Sequence, residues 1–63
     1  MKNIKFIRKY KFYGTEKIDI IYNSNRCMTC DLVDAPKTAR DFMEGKVGIV
    51  QHDHFYGDEI IYY

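Results

Sequence analysis

This 63-residue sequence has one proline, one serine (Ser24) and no apolar run near the ~20 residues of a membrane span. With 46% hydrophobic and 30% charged residues, so little proline excludes a disordered, low-complexity chain. There is no Gly-rich phosphate loop and no nucleophile elbow, which excludes those routes to phosphate and acyl chemistry. A domain this small also has little room for a walled pocket, so a non-enzymatic role is expected. The apolar h-region of a signal peptide is missing as well, because lysines and Arg8 interrupt the N-terminal stretch. The expected setting is the cytoplasm, with a soluble chain whose Cys27 and Cys30 are reduced.

What is present suits one domain spanning residues 1–63. A chain of this size buries only about 60% of the surface its unfolded form exposes, so a metal ion or a second copy would add useful stability. Lys, Ile, Asn, Tyr and Phe, drawn largely from A/T-rich codons, supply 28 of the 63 residues, against 10 for Ala, Gly, Pro and Arg. That bias points to an A/T-rich genome, such as a low-GC bacterium or a phage or mobile element within one. The net charge of +1 conceals a polarity: residues 1–17 carry +5 and residues 18–63 carry −4. Such a surface can steer a charged partner, although cross-strand ion pairs in a small sheet would cancel it.

From Ile4 to Tyr13 the residues alternate. Ile4, Phe6, Tyr10 and Phe12 fall on one face with Arg8 as an exception, and Lys5, Ile7, Lys9 and Lys11 fall on the other. This predicts a half-buried strand. Gly14-Thr15 predicts a type II′ hairpin turn, followed by a strand from Lys17 to Asn23. Asn23-Ser24-Asn25 reads as a turn, and Arg26 to Val33 as either a short third strand or a loop carrying the cysteines. Asp34 as N-cap, Pro36 in the first turn and Gly45 at C′ frame a helix. Its apolar face is Ala35, Ala39, Phe42 and Met43, with Lys37–Asp41 and Arg40–Glu44 as solvent-side pairs. Val47 to Phe55 predicts a strand, Gly57-Asp58 a second turn, and Glu59 to Tyr63 a last strand that is apolar on both faces. The segments Phe12-Tyr13-Gly14-Thr15-Glu16 and Phe55-Tyr56-Gly57-Asp58-Glu59 resemble each other, as convergent turn chemistry would produce. The expected fold is α+β, a small antiparallel sheet of four or five strands with one short helix, in the order β-β-(β)-α-β-β.

Three constellations carry chemistry. Cys27-x-x-Cys30 with His52-x-His54 offers four zinc ligands, since soft thiolates and two same-face imidazoles suit a tetrahedral ion. H-x-H is tighter than the usual H-x₃₋₅-H spacing, and two core cysteines with two solvated histidines are the plain alternative. A thioredoxin-type role for the cysteines fails on placement, because the helix starts too late to lower a thiol pKa. Asp53 points away from His52 and His54 in a strand and cannot orient either as a base.

The second constellation is the basic row Lys5, Lys9 and Lys11 with Tyr13, which can pair phosphates and stack bases. The same lysines also serve to guard a strand against edge-to-edge association. The third is the C-terminal cluster Tyr56, Ile60, Ile61, Tyr62 and Tyr63, with the large, polar-tipped side chains that interfaces favour. It serves equally to close a small core. The leading expectation is a small non-enzymatic binding protein, an accessory or inhibitor protein of a phage or mobile element acting by protein–protein contact. Homodimerisation through the last strand is one form of it. The alternatives are a small nucleic-acid-binding domain on the lysine face, or a zinc-stabilised module.

Overall fold

Period-two alternation from Ile4 produces strand β1 (Ile4–Phe12), and β2 (Thr15–Tyr22) folds back against it. The computed structural model describes residues 3–52 and 59–63. β3 (Cys27–Asp31), a 3-10 turn (Leu32–Asp34), α1 (Lys37–Met43), β4 (Ile49–Gln51) and β5 (Ile60–Tyr62) follow. The strands form one antiparallel sheet in the order β3-β2-β1-β5-β4. The expected α+β class, with one helix against a five-stranded sheet, is therefore the fold. The ambiguous segment after Arg26 resolves into a strand and then a 3-10 turn. The Gly57-Asp58 turn and Phe55, at the end of the expected fourth strand, lie outside the described residues.

The first hairpin turns one residue earlier than expected. Phe12 lies opposite Thr15, so Tyr13 and Gly14 form the loop, with φ of 50° and 81°. Two consecutive positive φ values make this a type I′ turn, whose twist matches the flanking strands. Gly14 takes that conformation without penalty, but Tyr13, 93% exposed, pays for its Cβ. Tyr13→Asn should therefore stabilise the protein by about 0.5–1 kcal/mol, because Asn tolerates the left-handed region better. A raised urea midpoint with an unchanged slope is the result to look for; a lowered midpoint would show that the Tyr13 ring matters more than its backbone.

A bulge between Ile4 and Phe6 also breaks the predicted alternation. It turns Ile4 onto the face of Tyr22, its register partner, and away from Phe6. Beyond the bulge, Ile7 pairs with Ile20, and Lys9 with both Ile18 and Ile61. Ile7, Ile18 and Ile20 are fully buried and form the core with Ala35 and Ala39. Each buried isoleucine contributes about 1.5–3 kcal/mol by leaving water. Leu32, Phe42, Met43 and Tyr63 pack around them. The 3-10 turn and α1 thus cover one face of the sheet.

The helix starts later than the Asp34 cap implied. Asp34 belongs to the 3-10 turn, where the Ala35 N–H bonds the Leu32 carbonyl at 3.1 Å. Pro36 becomes the N-cap, with φ −65° and ψ 156°, a conformation its ring pre-sets. Gly45 follows the C-cap Glu44 with φ 77°, as expected for C′. The Lys37–Asp41 pair forms at 3.3 Å. Arg40 instead turns back along the chain: its Nε donates to the Ala35 carbonyl (3.1 Å) and its Nη2 to the Val33 carbonyl (3.0 Å). That ties α1 to the 3-10 turn and satisfies carbonyls outside the helix.

Candidate functional site

On the face opposite α1, side chains in register alternate between polar and apolar rows. The polar row centres on Asp19, which lies opposite Arg8 on one side and Thr29 on the other. Asp19 is 3% exposed. Its Oδ2 accepts from Arg8 Nε at 2.6 Å, and its Oδ1 from Tyr10 Oη and Thr29 Oγ1, each at 2.8 Å. Arg8, an exception in the alternation, is thus the cross-strand partner of the one buried acid among the described residues. Such a network is structural in its chemistry, because its buried central carboxylate is held by three donors from three residues.

Beside it runs an apolar row. Ile21 lies opposite Phe6, the Phe6 and Tyr62 ring centroids are 6.0 Å apart, and Tyr62 lies opposite Ile49. Ile21, Phe6 and Tyr62 are half-buried, and the row crosses β2, β1, β5 and β4. At its β4 end it becomes accessible, with Ile49 65% exposed; Val50, on the helix side of the same strand, is 51% exposed, and Val47, just before the strand, 91%. β4 is also an outer strand of the sheet. No residue of Ile49–Gln51 is charged, and no proline or bulge disrupts it. Natural edge strands are usually blunted by such devices.

Gly48 holds this strand close. A Cβ at position 48 would fall inside the envelope of Ile61 Cγ2 and 3.2 Å from Tyr63 Cε1. The chain can therefore enter β4 directly over β5 because the residue there is glycine.

The C-terminal cluster is redistributed by this order. Ile60 is fully buried, Ile61, Tyr62 and Tyr63 are half-buried, and Tyr56 lies outside the described residues. β5 is bonded to β1 on one side and β4 on the other, so it has no free edge. Ile60–Tyr62 therefore offers no main-chain edge to a second copy, and among the described residues the outer strands of the sheet are β3 and β4. The sequence reasoning missed Val47, Ile49 and Val50. Their signal was an uncharged aliphatic run, which reads equally well as a core strand.

The lysine row is also divided. Lys9 and Lys11 share the face of Ile7, but the bulge takes Lys5 out of their alternation. Lys9 Nζ lies 5.9 Å from the centroid of the Tyr63 ring, and Lys11 lies opposite Glu16. Tyr13 sits at the hairpin tip, edge-on to Phe12 at 4.5 Å. The four residues therefore do not line up as one phosphate-binding face.

The proposed zinc ligands fare similarly. Cys27 lies opposite Ile21 and Cys30 opposite Ile18, so β3 directs the two thiols to opposite faces. His52 follows β4 at the other edge of the sheet, four strand spacings or roughly 19 Å from β3. His54 lies outside the described residues. Among the described residues, no group of three or more His, Cys, Asp or Glu is placed around one ion. The geometry separates the cysteines from each other and from His52.

The two thiols differ in reactivity. Cys27 is exposed, whereas Cys30 packs against the core. Burial, aided by the Asp34 and Asp31 carboxylates, pushes the Cys30 thiol above its ordinary value. A neutral-pH thiol reagent should label Cys27 at least about tenfold faster than Cys30, since the thiolate is the nucleophile. Peptide mass mapping over time reads this directly, and equal rates would contradict the β3 placement. Because the folded state holds the Cys30 proton to higher pH than the unfolded chain, stability should fall as alkaline pH ionises the unfolded thiol.

No described helix is long and apolar enough to cross a membrane. No family model, no curated protein and no solved structure matches this chain, so its function is argued from its own residues.

Proposed function

We propose that this chain is a non-enzymatic binding protein that acts by protein–protein contact through the open edge of β4 and the apolar row that ends there. One observation carries the reading: Val47, Ile49 and Val50 are exposed along an uncharged edge strand. An extended segment of a partner can add to such an edge through main-chain hydrogen bonds, with side chains reading alternate positions. The half-buried Phe6 and Tyr62 rings extend the contact inward with large area and few rotamers to freeze. The A/T-rich composition fits an accessory or inhibitor protein of a phage or mobile element, which would work by covering a host or element protein.

The test uses the wild-type chain and the Ile49→Asp, Val50→Asp double variant as baits in lysate from the source cells. Both substitutions are at exposed positions, so circular dichroism should show an unchanged fold. A protein retained by the wild type and depleted about tenfold on the variant is the expected result, the scale of a ~1.4 kcal/mol interface residue. Identical retention on both baits would remove the β4 reading. Retention abolished by nuclease would favour nucleic-acid binding through Lys9 and Lys11 instead. Sedimentation of the pure chain adds a further outcome, since a dimer lost in the variant would make the partner a second copy.

A further inference from the structure

The helix side of the same edge has a different character. There an open groove of about 480 Å3 lies between α1 and the sheet, with Leu32, Met43 and Tyr63 among its lining residues. Three cations converge on it from separate elements: Lys9 from β1, Arg40 from α1 and Lys46 from the loop after α1. Glu44 is the one acid in the lining. Arg40 and Lys46 are two of the four basic residues in a stretch, 18–63, that carries a net charge of −4, and Lys9 is brought to them from the basic first strand.

The cations are held by groups that leave their charge in place. Arg40 donates to the Val33 and Ala35 carbonyls. Lys46 Nζ lies 3.5 Å from the Phe42 ring centroid, and Lys9 Nζ lies over Tyr63. The ion pairs among the described residues, Arg8–Asp19, Lys17–Asp31 and Lys37–Asp41, involve none of the three. Carbonyls and ring faces orient a cation but do not neutralise it.

The groove also adjoins the β4 edge. Tyr63 packs beside Gly48, the residue that leads into β4. Lys9, Ile61 and Val50 lie opposite one another in register and share the helix-side face. A strand added to β4 would thus place alternate side chains on two unlike surfaces: the cationic groove on the helix side, and the Ile49–Tyr62–Phe6 row on the other.

We infer that the partner segment recognised at β4 is an acidic strand, with carboxylates alternating with aliphatic residues. The carboxylates lie toward Lys9, Arg40 and Lys46, and the aliphatic side chains lie on the apolar row. This rests on the β4 reading above and specifies the chemistry of the partner. Complementary charge then selects the partner and speeds encounter, while the aliphatic half supplies desolvation.

Two synthetic peptides test it against the full chain, one alternating Glu with Val and Ile, the other with Lys in place of Glu. A short oligothymidylate is the third probe. Binding is read by fluorescence anisotropy and by amide shifts on the isotope-labelled protein. The acidic peptide should bind at least about tenfold tighter than the lysine peptide and weaken with salt. Its shifts should centre on Lys46 to Val50 and on Tyr63. The Lys9→Glu, Lys46→Glu double variant should lose about tenfold in affinity for it, with Arg40 kept because it ties α1 to the preceding turn.

Equal binding of the two peptides, no binding of the acidic one, or tighter binding of oligothymidylate at the same cations would each overturn the inference. If both peptides bind equally at β4 and both are lost on Ile49→Asp, Val50→Asp, the protein-contact reading stands and the acidic specificity falls. If no peptide perturbs β4 and partner capture is unaffected by that variant, both fall.

Discussion

Asp19→Ala should cost roughly 3–5 kcal/mol, the range for removing one partner of a buried ion pair, and in a domain of this size that is enough to unfold most of the population. The carboxylate is almost fully buried and serves three donors on three residues, Arg8, Tyr10 and Thr29. Removing it takes the Asp19 carboxylate from all three donors at once, the Arg8 guanidinium at a site 25% exposed among them. The loss should far exceed that of Asp41→Ala, which breaks the exposed Lys37–Asp41 pair and should stay within about 1 kcal/mol. Asp19→Asn keeps an acceptor oxygen and should fall between, at about 1–3 kcal/mol. Urea denaturation followed by circular dichroism ranks the three. Equal, small losses for Asp19→Ala and Asp41→Ala would mean that the cluster is a surface decoration and not part of the sheet's specification.

The second large effect separates two adjacent isoleucines. Ile20→Ala should destabilise by about 2–5 kcal/mol, whereas Ile21→Ala should cost only about 1 kcal/mol. Ile20 is fully buried in the helix-side core opposite Ile7, and its truncation leaves a cavity within that core. Ile21 is half-buried on the opposite face beside Phe6. The expected outcome is a large drop in thermal midpoint for Ile20→Ala and a small one for Ile21→Ala. Comparable drops would show that both faces of β2 are equally enclosed.

The site was less legible than the fold. Alternation correctly separated Ile18, Ile20 and Tyr22 from Lys17, Asp19 and Ile21, because side-chain period is a local property of any strand. It could not identify Arg8 as the partner of Asp19. A Gly14-Thr15 turn would set Tyr10 opposite Asp19, while the observed Tyr13-Gly14 turn sets Arg8 there. One residue in the turn moves the register by two, which keeps every side chain on its face but changes whom it meets. Val47, Ile49 and Val50 were hidden for a related reason, since an uncharged aliphatic strand looks alike at the centre and at the edge of a sheet.

By itself, then, the sequence left Arg26 to Val33 open between strand and loop, and determined the first hairpin, the single helix with Gly45 at its C′ position, the strands that follow and the α+β class. Each of these follows from periodicity, turn chemistry or capping within a few residues. The tertiary structure decided the strand order β3-β2-β1-β5-β4. That order pairs the C-terminal strand on both sides, parts the β3 cysteines from His52, and makes β4 an outer strand among the described residues, beside a cationic groove. The physical reason is that backbone pairing between distant segments, and the path α1 takes across one face from β3 to β4, are long-range choices that no local pattern encodes.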